Sequence, residues 1–202
     1  MPRPATCRTP WARTCASLAL ALSLSACNAA PEPDAVAPAT YGAPDSVTLT
    51  SNAVDTETRI HRVYGRLPGA RRKAVRRDIG RVVDRWWEAA YLGGTYPRDS
   101  FPDAFPGFTR GAAREARTDK ALLTNATGGA RVESVTPRRR TVTIDVMAVG
   151  GQARSVTARF LLRFSTTGDE AGVTVVRGRL FLTRRNGPWR IFGYDVAKGD
   201  RR

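Results

Sequence analysis

From Arg131 onward the apolar residues of this chain fall at every second position, and that change of period constrains the fold more than any other feature of its 202 residues. A period of two belongs to a strand with one buried face. Five stretches carry it: VESVT (132–136), TVTIDVMAV (141–149), ARSVTARFLLRFSTT (153–167), GVTVVRGRLFLTR (172–184) and WRIFGYDV (189–196). PRRR, GGQ, GDEAG and NGP separate them, all rich in turn formers. Connections this short make neighbouring strands antiparallel, so the expectation is a meander that needs a cover on its apolar face.

The cover lies upstream. In ARRKAVRRDIGRVVDRWWEAAYLGG, Val75, Ile79, Val82, Val83, Trp86, Ala90 and Tyr91 recur at intervals of three and four, one face of a helix that Gly93-Gly94 would stop. Arg76, Arg77, Asp84, Arg85 and Glu88 lie opposite and read as a solvated face. Trp86 and Trp87 point about 100° apart, so at most one is expected at the centre of the core. Phe101, Phe105 and Phe108, interleaved with Pro102, Pro106 and Gly107, break the next segment into short turns. A second helix is expected from about Thr109 through Leu122-Leu123. Helices followed by a strand meander define an α+β class.

With these elements in place, residues 70–197 resemble the NTF2-like (cystatin-like) superfamily: an aromatic-bearing first helix, a broken second helical region, long central strands and a final strand GPWRIFGYDV. The chain is also similar to domains of actinobacterial membrane-anchored accessory proteins, including those associated with Mce transporters. The resemblance implies N-terminal helices packed on a strongly curved antiparallel sheet, an NTF2-like cone, in which Gly178 would suit a bulge or bend. Enzymes of the superfamily use acids, histidines or tyrosines converging inside the cone. The candidate pocket residues on that reading are Trp86, Trp87, Tyr91 and Asp145. Asp145 alternates with Ile144 and Val146, however, which turns it toward water, and no acid pair matches those enzymes, so no catalytic residue is assigned.

Charge divides the chain in three. Residues 1–26 hold Arg3, Arg8 and Arg13 and no acid, residues 28–58 hold five acids and no base, and everything from Arg59 onward holds 30 bases against 13 acids. The apolar run from Cys15 to Leu24 is about half the roughly 20 residues that a membrane-crossing helix needs, and it has the layout of a secretory signal. Leu24-Ser25-Ala26-Cys27 resembles the lipobox of bacterial lipoproteins. That likeness implies a diacylglyceryl group on the Cys27 thiol, cleavage before it, and attachment to the extracytoplasmic face of the cell membrane. Two or more acyl chains, at about 0.8 kcal/mol per buried methylene, make such an anchor stable. The expected organisation is a signal peptide (1–26), a Pro/Ala-rich tether (27–69), an α+β domain (70–197) and a basic tail (198–202).

His61, the sole histidine, has no ligand-type neighbours at metal spacing and reads as exposed or hydrogen-bonded. No zinc motif, Gly-rich phosphate loop or nucleophile elbow is present in the sequence, and no cofactor is implied. If Phe160, Leu162 and Phe164 face the helices, Arg159, Arg163, Arg177 and Arg179 share the other face, as candidates for an anionic partner: lipid, envelope polymer or protein. Strands that carry Arg between aromatic residues also suit single-stranded nucleic acid, but export argues against it. The expected function is a lipid-anchored binding or scaffolding protein of the cell envelope; the alternative is a small-ligand protein or enzyme with a polar pocket in the cone.

Overall fold

The computed structural model describes residues 54–185 and 187–201. Cys27, the expected signal segment and most of the expected tether lie outside the described residues. Five strands form one sheet: β1 (Glu57–Tyr64), β2 (Val132–Val149), β3 (Gln152–Gly168), β4 (Gly172–Thr183) and β5 (Arg190–Arg201), in the spatial order β1-β2-β3-β4-β5. β2 to β5 run antiparallel to their neighbours, whereas β1 lies parallel to β2, with Glu57 beside Thr141 and Tyr64 beside Met147. A parallel pair needs a long crossover. Residues 65–131 provide it, and they contain α1 (Gly69–Trp87), a π-helical turn continuing it (Glu88–Leu92), α2 (Arg110–Thr118) and α3 (Lys120–Leu123).

This architecture corrects the expected cone. The protein is a mostly-sheet α+β fold with few helices, and its five-stranded sheet is mixed and not strongly curled. Two local features of the chain account for the difference. Residues 57–64, assigned to the tether, alternate well enough to form an edge strand, but a bulge between Ile60 and Arg62 breaks their period. PRRR, assigned to a turn, instead continues one 18-residue strand, with a bulge between Pro137 and Arg139 at the residue that has no N–H to donate. The domain also runs past 197, because β5 takes in Lys198–Arg201 rather than leaving a tail. Gly178 occupies no bulge between β3 and β4; its φ of +154° and the close passage of β5 explain it instead.

The core lies between the helices and one face of the sheet. Val142, Ile144 and Val146 of β2, Phe160, Leu162 and Phe164 of β3, and Val176, Leu180 and Leu182 of β4 are buried there against α1. Both tryptophans are fully buried, which corrects the expectation that one would sit at an edge. Trp86 meets Phe160, Tyr91 and Phe108 edge-on at centroid separations of 5.3, 5.7 and 6.1 Å, and Trp87 meets Phe160 at 6.0 Å. Trp87 is roofed by Arg140 of β2, whose guanidinium lies 5.7 Å from the ring and pairs with Asp84 of α1 (3.1 Å) and with Glu88 at the start of the π-helical turn (2.8 Å). These two acids serve the sheet rather than a solvated helix face.

Arg140→Ala should therefore lower the unfolding free energy by about 2 kcal/mol, read as a shift in urea midpoint. Charge-assisted hydrogen bonds contribute roughly 1.5–3 kcal/mol, discounted here because Asp84 and Glu88 keep a third to a half of their side-chain surface in water. Arg140→Lys should recover only part of the loss, since an ammonium cannot fork between two carboxylates. Equal stability of Arg140→Ala and the parent chain would remove this clamp from the account.

At the start of α2, Thr109 accepts a hydrogen bond from the Ala112 amide (3.3 Å) and caps the helix where the sequence places it. The same segment is tied to β5 through Thr109 N–H to Ile191 O (2.8 Å) and Ile191 N–H to Gly107 O (2.9 Å). All the helices contact the apolar face. Among the described residues nothing covers the other face of the sheet.

Candidate functional site: the uncovered sheet face

Strand pairing arranges the open face in rows across the sheet. One row runs Arg59, Thr143, Arg159, Arg179, Asp195; the next runs Glu57, Thr141, Leu161, Arg177, Ala197; and a third places Arg139 beside Arg163 and Val175. The four arginines expected to share a face do share it. Arg159 and Arg179 are direct cross-strand neighbours, a placement that costs some tenths of a kcal/mol unless acids intervene. Acids do intervene. Arg179 forks onto Asp195 through Nε (3.1 Å) and Nη2 (2.5 Å), and Arg159 pairs with Asp145 at 2.8 Å. Arg163 and Arg177 have no acidic partner among the described residues and remain the exposed, uncompensated cations of the set.

A cluster that the sequence did not reveal sits beside the first row, where Asp145 pairs with Arg62 and Thr157. The bulge in β1 brings His61 over the neighbouring strand, where its Nδ1 lies 2.9 Å from Asp145 Oδ1. Asp145 is thus held from both sides and only 17% of its side chain is exposed, whereas 52% of His61 is. With Nδ1–H donating to the carboxylate, the Arg159 Nη2 at 3.3 Å is a close neighbour of the ring and not a second hydrogen-bond donor to Nδ1. Asp145 and His61 are 84 residues apart, and only the unforeseen strand β1 joins them. The alternation in RIHRVY is the one local signal that could have placed His61 on a sheet.

The expected pocket does not assemble. Trp86, Trp87 and Tyr91 are on the helix-covered side, and Asp145 is on the open one. Phe160 and Phe164 fill the space around the three aromatic residues. Tyr91 donates its hydroxyl to Leu122 O (2.8 Å), and burial pushes its phenol well above the ordinary range, so this group ties α3 to the core as a neutral donor. Tyr194 donates to Asp119 at 2.7 Å, and burial followed by that hydrogen bond raises its phenol likewise. The indole N–H groups of Trp86, Trp87 and Trp189 have no hydrogen-bond partner among the described residues.

The described clefts lie elsewhere. One of about 350 Å³ is bordered by Asp99, Phe101, Phe105, Arg117 and Lys120. One of about 260 Å³ lies between α1 and the start of β3, lined by Arg71, Val75, Ala153 and Arg184, and one of about 440 Å³ at the start of β5 is lined by Arg185, Pro188 and Arg190. Among the described residues no group of three or more His, Cys, Asp or Glu side chains is placed to hold a metal ion, and no helix is long and apolar enough to cross a membrane. No protein-family model matches the chain, and neither a curated protein nor a solved structure matches it.

Proposed function

We propose that this protein is a lipid-anchored extracytoplasmic binding module of the cell envelope, held by Cys27, that offers its open sheet face to an acidic partner protein. The observation that carries this reading is the uncovered face, where Arg163 and Arg177 stand uncompensated beside half-buried Leu161 and Val175. Cations next to modest apolar patches suit a protein surface, because desolvating the patches adds to the charge pairing. The lipobox-like LSAC ending at Cys27 supplies the location.

Crosslinked capture from intact cells, with the full chain as bait, tests the reading. A specific acidic protein should be recovered at low salt, and Arg163→Glu with Arg177→Glu should abolish its recovery without altering the thermal midpoint. Recovery that is unchanged by the double reversal would sink the proposal, as would recovery of an anionic polymer alone. Separately, Cys27→Ala should be washed from membranes by ~1 M salt, which shrinks the Debye length to about 3 Å, while the parent chain stays. Retention of a salt-washed Cys27→Ala chain with an unmodified N-terminus would refute the anchor.

A further inference from the structure

A different part of the surface is set apart by its charge and its exposed apolar side chains. The C-terminal ends of β1, β2 and β4 and the N-terminal ends of β3 and β5 meet at one end of the sheet, together with the start of α1; Arg71 at that helix start donates to Gly151 O in the β2–β3 turn. The chain segments that build this end, 62–77, 146–158 and 180–194, contain eleven Arg or Lys residues and no Asp or Glu. At the opposite end, Glu133, Asp169 and Glu170 are interspersed with the bases, and Arg131 pairs with Glu170. The large apolar side chains that stay exposed among the described residues are Tyr64, Met147, Val149 and Phe192. All four belong to this basic end: Tyr64 is paired with Met147, Val149 closes β2, and Phe192 bulges from β5 beside Phe181, ring centroids 6.4 Å apart.

Singly exposed apolar residues are ordinary on a protein surface. Four of them concentrated among so many cations, with Asp78 and Asp145 only at the inner margin beside Arg77 and Arg62, are not, and a purely polyanionic ligand would leave them in water. An anionic bilayer satisfies both features, with phosphates meeting the guanidinium groups and the headgroup–acyl boundary taking the apolar tips. We infer that this end of the domain docks on an anionic phospholipid surface through Met147, Val149, Tyr64 and Phe192, ringed by Arg62, Arg154, Arg184, Arg185 and Arg190. The inference rests on the proposed function only for placing the chain beside a bilayer. Chain length permits both attachments at once. The 29 residues between Cys27 and Glu57 can span at most about 100 Å, more than enough to return from the far end of β1, whose eight residues cover roughly 27 Å.

The test uses the full chain carrying Cys27→Ser, so that no acyl group contributes, in cosedimentation with phosphatidylglycerol-containing and phosphatidylcholine-only vesicles at about 0.15 M salt. Binding should require the anionic lipid. Arg184→Glu with Arg185→Glu should weaken it by about thirtyfold or more, since each base near such a surface is worth roughly fivefold, and Met147→Ser with Phe192→Ser should weaken it by about tenfold. Arg163→Glu with Arg177→Glu should change it less than about threefold, so loss of partner capture and loss of vesicle binding report on separate surfaces. Equal binding to both vesicle types would overturn the inference. So would apolar-tip variants that bind like the parent, or a single-stranded oligonucleotide bound as tightly as the vesicles and by the same residues, which would make this end a general polyanion site.

Discussion

Gly178→Val should hinder the seating of β5 and move the urea midpoint of unfolding sharply downward. A Cβ at position 178 would lie 2.0 Å from Asp195 O and 2.9 Å from Val196 Cα, both backbone atoms of the paired strand, and the glycine holds φ at +154°. Neither conflict has a cheap escape. Backbone strain of this kind costs about 1–3 kcal/mol and overpacking a similar amount, so the expected loss is on the order of 4 kcal/mol, a large share of the 5–15 kcal/mol that a domain has in total. Gly199→Ala on β5 is the matched control, since nothing lies within 4 Å of its Cβ position; it should shift stability by less than about 0.5 kcal/mol. Circular dichroism with urea titration of both variants checks the pair. A folded, near-parental Gly178→Val chain would mean that β4 and β5 are not packed as described.

The second large effect is expected at Trp86. Truncation to alanine empties the space shared by Phe160, Tyr91 and Phe108 and should cost about 3–5 kcal/mol. For a domain of this size that lowers the melting temperature by about 10 °C or more. Trp86→Phe should be much milder, under about 1.5 kcal/mol. The phenyl ring keeps most of the packing, and the substitution removes an indole N–H that is buried without a partner among the described residues, whose desolvation penalty of roughly 1–3 kcal/mol disappears with it. If phenylalanine proves as damaging as alanine, the indole nitrogen has a bonded role that its surroundings do not show.

What local period can express, the sequence expressed well. The stripe from Val75 to Tyr91, the helix start near Thr109 and the alternation through 153–167 and 172–184 correspond to α1 with its π-helical turn, α2, β3 and β4, because each depends on residues a few positions apart. Pairing between distant segments has no such signature. β1 joins β2 across 84 residues, and its bulge disguises the alternation that would have revealed it. Without β1, His61 appeared isolated, Asp145 appeared merely solvated, and the sheet appeared wholly antiparallel. The arginine face was legible, since parity alone puts Arg159, Arg163, Arg177 and Arg179 together, but which of them are neutralised was not. That depends on Asp145 and Asp195, which arrive from neighbouring strands. Likewise the second buried tryptophan is explained by Arg140, a residue that the apparent turn PRRR had removed from the sheet.

The parallel setting of β1 also has a mechanical meaning. This edge strand is bonded to one neighbour only, and the chain leading from Cys27 enters it at Glu57, opposite the basic end. Were that end held on a surface while the chain ahead of Glu57 was pulled the other way, tension would run along the strand axis. Every rung of the β1–β2 ladder would then bear load together, in shear, instead of parting one after another as in a peeled hairpin. A domain tethered through such a strand resists extraction by force far better than its few β1 hydrogen bonds would suggest.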